Sequence, residues 1–546
     1  MLAREPFERR LAALKRARAP YEDDWRLISD YIRPRRTRFF RTSGHERDTR
    51  IINGSPKFAL RTLGAGMHAG LSSPARPWLR MITDDPGLME YGPVRDHLAE
   101  RTAIFFSVLA RTNIYRALHT NWINEGQFGT AAMVIEGDDD AVARARVMPI
   151  GEYYLAADAD GICRTLYRET TMTVGQWIGT VGLENVSAAV RRAYDRSDTE
   201  DRIEVCHAIE ANDARVPYRA DWRGKAFRSA WWEKDSDADK LAKVLGYEEC
   251  PIIAPRWEVL DLDTYGEGPG HDALNDAIGL QRMEAESHRL VQKLADPPTV
   301  MPSSMKGYGN TPAAAGQNFF GDGPPEAARA LYQVPHDISP LEAKIAGNVR
   351  RIDSAFYRDV FQLIAQAEAY GTPATAREII ERKEEKMVLV GPTVERQHSE
   401  GLGPLVRRVD AMIARAGFYR EPPPELARAN VSIDYLSPLA QAQKMVDASS
   451  IERMATFIGN LAGVAPSVVD KLDADQAVDE YARIIGANAR IIVSDDKAAK
   501  IRSARAQQQA QAQQAQLAAQ AIAGAKQMSE TSIDGTNLLG RIAGVQ

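Results

Sequence analysis

The chain has 546 residues, with 69 Lys plus Arg against 74 Asp plus Glu and a formal net charge of −5. Such a length exceeds one ordinary core, and 44% hydrophobic with 26% charged residues is a globular composition. The mild acidity argues against a protein that grips DNA by counterion release, and no run approaches the roughly 18 uninterrupted apolar residues of a membrane span. The first twenty residues, MLAREPFERRLAALKRARAP, carry charges throughout and lack the apolar core of a secretion signal. Cys163, Cys206 and Cys250 are odd in number and far apart, which predicts reduced thiols and a cytosolic origin.

Helical periodicity runs from Arg4 to about Ile32 and ends at Pro34, inside PRRTRFFR, where basic residues interleave with Phe39 and Phe40. That stretch fits either contact with a polyanion or a solvated helix end with two buried aromatics. Further helix is expected around Lys57–Met67 and from about Val94 to Ile123. From Ala132 to Asp261, short runs of β-branched and aromatic residues alternate with turn chemistry, predicting mixed strands and a helix near Val174–Asp195.

Next comes a Gly/Pro corner, Tyr265–Gly270, and then an amphipathic helix of about 25 residues, roughly 37 Å long. It stops at Pro297-Pro298, where each ring removes an N–H donor. Ala273, Ala277, Leu280, Met283, Ser287, Leu290 and Leu294 recur along it every three or four residues. So narrow a stripe suits a helix standing in a ring of similar helices. Ten Gly and Pro residues between Pro302 and Pro335 predict a small, loop-rich subdomain with short strands. A second helix is expected from a capping box of Ser339, Pro340 and Glu342, with a seam of Ile345, Val349, Ile352, Phe356, Val360 and Leu363. Gly371 and Pro373 break the pattern; helix resumes near Thr375 and continues to about Ala416, with kinks expected at Gly391-Pro392 and Gly403-Pro404. A strand, Val431–Leu436, and short helices to about Lys500 follow. The Ala/Gln run Ala504–Ala519 is either helical or disordered.

Catalytic signatures fail on inspection. Gly224-Lys225 lacks the earlier glycine of a phosphate-binding loop and is followed by Ala226, so no ATP-driven motor is indicated. Gly64, Gly66 and Gly70 have the wrong spacing for a dinucleotide loop, and Ser303-x-x-Lys306 lies in a Pro/Gly loop without its partner motif. Asp138-Asp139-Asp140 and Asp158-x-Asp160-Gly161 read as turns, since no bidentate Glu closes a calcium loop. Cys206-His207 has no matching pair at zinc spacing. No catalytic, cofactor or metal site can be assembled, and none is expected.

The stretch RWEVLDLDTYGEGPGHDALNDAIGLQRME, with KLADPP after it, resembles the portal proteins, or head-to-tail connectors, of short-tailed bacteriophages. The resemblance continues in GAGMHAGLSSPARPWLRM (Gly64–Met81), FGTAAMVIEGDD (Phe128–Asp139), YRETTMTVGQWI (Tyr167–Ile178), Thr372–Val409 and Val431–Lys444, spanning nearly the whole chain. It implies an α+β portal fold in a ring-forming subunit. In those terms residues 1–265 are the first part of a mixed α/β wing, 266–296 a stem helix, and 297–340 a clip. Residues 341–366 are the second stem helix, 367–376 a tunnel loop, and 377–440 the return of the wing. A helical crown, 441–500, precedes an Ala/Gln-rich tail, 501–546.

The same resemblance implies a homo-oligomeric ring of twelve at one capsid vertex, assembled in the host cytoplasm and carried in the virion. Double-stranded DNA would be packaged and ejected through it without sequence specificity. Terminase large subunit and then a tail adaptor would dock on it, beside capsid and scaffolding proteins and without any membrane. Gln366, Glu368, Tyr370, Gly371, Thr372 and Thr375 would face the DNA. Leu280, Met283, Leu290, Ile345, Val349, Ile352 and Phe356 would line the contact between subunits. A helical scaffold or assembly protein without a channel is the alternative; it explains the long helices but not the mixed β region or the Pro/Gly subdomain. A hydrolase or nuclease would need a clustered site that the sequence does not display.

Overall fold

The computed structural model describes residues 2–34, 51–236, 239–295, 299–303, 318–321, 329–330, 338–362, 391–436, 451–463, 465–485 and 495–530. The chain forms two compact units, one of Met1–Met81, Glu100–Glu421 and Ile433–Val446, the other of Ile82–Ala99, Pro422–Ser432 and Asp447–Gln546. In chain order the elements begin with helices α1 (Glu5–Tyr31) and α2 (Ser55–Leu71), strand β1 (Leu79–Thr83), and helices α3 (Pro86–Glu90), α4 (Gly92–Arg111) and α5 (Ile114–Phe128). Strands β2 (Ala132–Asp138), β3 (Val142–Met148), β4 (Tyr153–Ala157) and β5 (Cys163–Thr173) follow, then helices α6 (Val174–Val181) and α7 (Ala188–Asp195). Next are β6 (Arg202–Ala211), β7 (Phe227–Glu233), β8 (Lys243–Tyr247) and β9 (Ile252–Ile253).

The centre of the first unit is an antiparallel sheet in the order β4-β5-β6-β7-β8. Strand β6 is buried at six consecutive positions because both faces of the sheet are covered. On one face Phe7 and Leu11 of α1 pack with Tyr167, Cys206, Ala208 and Trp232. On the other, Val174 and Trp177 of α6 and Val190 of α7 pack with Val205 and Trp231. Cys206 and His207 therefore point to opposite faces, as neighbours on a strand must. The Cys206 thiol, pushed up to about 12 by burial, lies under α1, whereas the His207 ring stacks at 3.7 Å on Trp231. A second sheet has the order β3-β2-β9.

Arg18 joins α1 to this frame. Buried to 3% exposure, it donates to the carbonyls of Ile150 and Tyr153 at 3.1 and 2.6 Å and pairs with Glu22 at 2.7 Å. A buried guanidinium is tolerated only when its donors are satisfied in this way.

Two long helices expected from periodicity are each divided. The span 94–123 breaks at Thr112-Asn113, where the Asn113 amide donates to the Ala145 carbonyl at 2.7 Å and accepts from the Ala145 N–H at 2.9 Å. The side chain thus stands in for a strand neighbour of β3, a tertiary contact that local spacing does not reveal. The span 174–195 breaks at Gly182, whose φ of +87° ends α6. Both acidic clusters are turns: the Asp138 carboxylate accepts from the N–H groups of Asp140 and Ala141, and that of Asp158 from Asp160 and Ile162. PRRTRFFR lies, apart from Pro34, outside the described residues.

Beyond Ile253 the first unit carries helices α8 (Pro269–Asp272) and α9 (Leu274–Ala295), then a small sheet of β10 (Thr299–Pro302), β11 (Asn318–Gly321) and β12 (Arg329–Ala330). Helix α10 (Ser339–Ala355) returns from that sheet. Among the described residues no helix is long and apolar enough to cross a membrane. In the second unit, helices at 451–462 and Ala474–Ile485 precede one helix from Asp495 to Glu530. Arg502 pairs with Asp475 at 2.5 Å, and the last helix spans the 500/501 position.

Candidate functional site: the root of the helical pair

The pair α9 and α10 grows out of the Gly/Pro corner, and the corner is seated by backbone packing. Helix α5 ends at Gly129, left-handed at φ +69°, whose N–H caps the Glu125 carbonyl at 2.7 Å. The Gly266–Gly270 strip lies against that end. A Cβ on Gly270 would collide with the Gln127 carbonyl, and one on Gly268 would stand 3.0 Å from the Gly129 Cα. A Cβ on Gly266 would meet the Gly129 carbonyl at 2.9 Å. Tyr265 pins the near side: its hydroxyl accepts from the Leu155 N–H at 2.9 Å, and its ring meets Trp25 and Tyr21 of α1 at 5.1 and 5.3 Å.

From this base the first helix is buried on one side. Ala273, Ala277 and Leu280 are fully buried, and the Gln281 carboxamide holds the chain entering α2, accepting from Ile52 and Asn53 N–H at 2.7 and 2.9 Å. Further out, Met283, Ser287, Leu290 and Leu294 are only half-buried. The returning helix begins one residue earlier than expected: Ile338 occupies the cap and Ser339 is already helical. It also ends sooner. Expected to reach Gln366, α10 stops at Ala355, and Tyr357 is left-handed at φ +54° before helix resumes over 358–362. The bend turns Phe356, Val360 and Phe361 inward, with the Phe361 ring filling the space beside Gly66 of α2.

The seven residues assigned to the contact between subunits therefore divide. Leu280, Ile352 and Phe356 are covered completely by their own chain and have no surface left for a neighbour. That corrects their assignment: helical spacing identifies an apolar face but not what covers it. Met283, Leu290, Ile345 and Val349 keep open surface. The loop residues Gln366, Glu368, Tyr370, Gly371, Thr372 and Thr375 lie outside the described residues.

A third component escaped the sequence reading. Where a kink was expected at Gly403-Pro404, the chain takes a π-helical turn, Gln397–Leu402, immediately before helix Gly403–Arg415. Pro404 cannot donate to the residue 400 carbonyl, so the α-helical ladder lapses there in any case. The turn is bolted to the root at two points. Gln397 donates to the buried Glu125 carboxyl, and Glu400 forms a two-bond pair with Arg256 at 2.8 and 2.9 Å. Arg256 in turn donates to the carbonyls of Asp263 and Gly161 at 2.9 and 2.6 Å. The only local hint of Glu125 was the polar residues Asn121, Asn124 and Gln127 interleaved with Trp122 and Ile123 in the last turns of α5.

As chemistry, the root is a fastening. Burial pushes the Glu125 carboxyl well above its ordinary range, with the Gln397 amide opposing and Glu400 adding to the shift. Among the described residues no three His, Cys, Asp or Glu side chains are grouped to hold a metal.

Comparison with known proteins gives a consistent result. The family described as bacteriophage head to tail connecting protein matches residues 4–493. The portal protein of Salmonella phage epsilon15 is 37% identical, with 99% of this chain and 98% of that protein covered. A probable portal protein of Bordetella phage BPP-1 is 36% identical, with 93% and 92% covered. A solved chain from the virion of a native gene transfer agent particle overlaps 79% of this chain and 89% of its own, at 12% identity and a TM-score of 0.33. So loose a superposition carries no argument.

Glu125 makes a pH test of the root. A carboxyl with a raised folded pKa binds its proton more tightly folded than unfolded. Its contribution is complete below the unfolded value, about 4.3, and is lost as pH rises toward the folded one. Glu125→Gln, which never ionises, is expected to melt above the parent at pH 8 and to lose that advantage at pH 4. A difference in melting temperature that is the same at both pH values would contradict a buried, proton-retaining Glu125.

Proposed function

Because the chain belongs to the family of bacteriophage head to tail connecting proteins, we propose that it is a portal subunit. In this reading a ring of twelve copies forms the channel at one capsid vertex. Double-stranded DNA enters through it during packaging and leaves through it at ejection. Terminase large subunit and then a tail adaptor dock on the β10–β12 end, while the wing meets capsid and scaffolding proteins. The observation that carries the reading is identity of 37% across virtually the whole of both chains, helical pair and corner included. The role is structural. The helical alternative without a channel has less in its favour, because the match also takes in the β-rich region between residues 132 and 253.

Met283, Leu290, Ile345 and Val349 supply the open side of the helical pair and form the contact between neighbouring subunits in this proposal. Native mass measurement is the direct test. Twelve 60.3 kDa chains give a closed species of about 0.7 MDa, since heterologous interfaces close into rings. A monodisperse monomer or dimer over a range of salt would overturn the proposal.

The segment Gln366–Thr375 faces the passing DNA in the same proposal. Its single charge, Glu368, among small, polar and aromatic residues lets it touch a phosphate backbone without holding it. Replacing Tyr370 and its neighbours by Gly and Ser should leave rings intact while impairing packaging or retention of DNA. Normal genome content in such particles would refute that role.

A further inference from the structure

The loop joining β6 to β7 is unusual in what it exposes and in how firmly it does so. Tyr218, at 106% exposure, is the most exposed large apolar side chain among the described residues, and its φ of +67° is strained for an L side chain. A floppy loop would relax that strain, but this one is tied. The Asn212 amide donates to the carbonyls of Trp222 and Lys225 at 3.2 and 3.0 Å, and the Val216 N–H donates to the Arg223 carbonyl at 2.7 Å. Arg215 Nε donates to the Gly224 carbonyl at 2.9 Å and forms no ion pair among the described residues. Arg219 and Arg223 share the single carboxylate of Asp221 at 3.2 and 3.6 Å. The result is a preorganised, fully exposed aromatic tip on a loop with surplus positive charge. Rigid, exposed Tyr flanked by Arg is the side-chain chemistry of interface anchors.

A complementary feature lies on the same chain. The β4–β5 turn and the segment after Arg256 enclose a recess of about 300 Å³, lined by Ile162, Val259 and Leu262 and by Asp160 and Asp261. Leu260 and Leu262 stand 61% and 81% exposed, and Asp261 is held at φ +49°. The carboxylates of Asp160 and Asp261 form no ion pair among the described residues; Arg256 and Arg396, also at the recess, share Glu400, so three carboxylates stand against two guanidiniums and the recess is net negative.

The sheet register relates the two features. Leu166 faces Ile209, so the β4–β5 turn and the β6–β7 loop leave the same end of the sheet. The turn is at the β4 edge and the loop lies between the third and fourth strands. Copies set side by side along the strand order bring the loop of one toward the edge recess of the next. Two different patches meeting in this way make the heterologous contact from which a ring is built.

We propose that Tyr218 of one subunit seats in the recess between the Asp160–Ile162 turn and the Val259–Leu262 segment of the adjacent copy. Arg215 and Arg219 then face the open carboxylates of Asp160 and Asp261. This rests on the ring-forming reading above and adds to it a contact beside the Arg256–Glu400 pair, distinct from the half-open shaft of the helices. The test uses the full chain and follows the ring-to-subunit ratio by native mass spectrometry as protein is diluted. Tyr218→Asn keeps a residue that tolerates positive φ and removes the ring. It should leave the melting of the free subunit unchanged and raise the dissociation concentration at least about tenfold. Asp160→Arg, at a position without positive φ, should do the same, and pairing it with Arg215→Glu should restore assembly. Rings of Tyr218→Asn and Asp160→Arg that dilute like the wild type would overturn the proposal. So would intact Tyr218→Asn rings that fail to join capsid protein, which would assign the loop to a different partner. Wild-type chains that form no ring would instead count against the portal reading itself.

Discussion

Where Gly266–Gly270 lies on the last turn of α5, neither backbone leaves room for a side chain on the other, and the helical pair starts from that contact. Gly129 ends α5 in a conformation that L side chains avoid, and a Cβ on Gly266 or Gly268 would run into it while one on Gly270 would run into Gln127. The direction in which α9 leaves the body is therefore fixed by backbone on backbone, without rotamers to adjust. Tyr265 braces this seat against α1, and Arg256 braces it against the π-helical turn. By comparison, the ion pair between Arg351 and Asp276 that joins the two long helices at 2.8 Å is open to water and contributes about 0–1 kcal/mol.

This distribution of rigidity suits a pair of helices that project from a body. Close to the root, Ala273, Ala277, Leu280, Ile352 and Phe356 are closed off by their own chain. Further out the same stripe stays half open, at Met283, Leu290, Ile345 and Val349. The base is self-sufficient, whereas the shaft keeps apolar surface that its own chain leaves half open. In the proposed ring, burial near the root acts on folding, and burial farther along acts on assembly.

How much of this was legible depended on whether the cause was local. The corner and the long first helix were readable because glycine and proline act on the backbone where they stand. The sheet was readable as strands from composition, but the six-residue burial of β6 needed both its covers, α1 and the α6–α7 pair. The breaks at Asn113 and Tyr357 were not readable. One is made by hydrogen bonds to a strand 32 residues away and the other by Phe356 and Phe361 turning inward together. Glu125 gave little sign of itself, since an acid on a helix is ordinarily solvated and only the return of Gln397, 272 residues later, gives it a buried partner. Leu280, Ile352 and Phe356 were correctly read as an apolar face and wrongly read as a face for another subunit.

The central claim is that glycine at the corner is required by contact and not by conformational freedom, and two substitutions on the same helical arm separate these. A Cβ at Gly270 would overlap the Gln127 carbonyl, whereas one at Gly279 would find the Asn348 amide at 3.4 Å, an ordinary contact. Replacing a helical Gly by Ala gains about 1 kcal/mol of propensity where space allows. Hydrogen exchange across Pro269–Ala295, with thermal melting, is therefore expected to show loosened protection and a lower melting temperature for Gly270→Ala. Gly279→Ala should match or exceed the wild type. Equal protection and equal melting in both variants would contradict the account of how the helical pair is anchored.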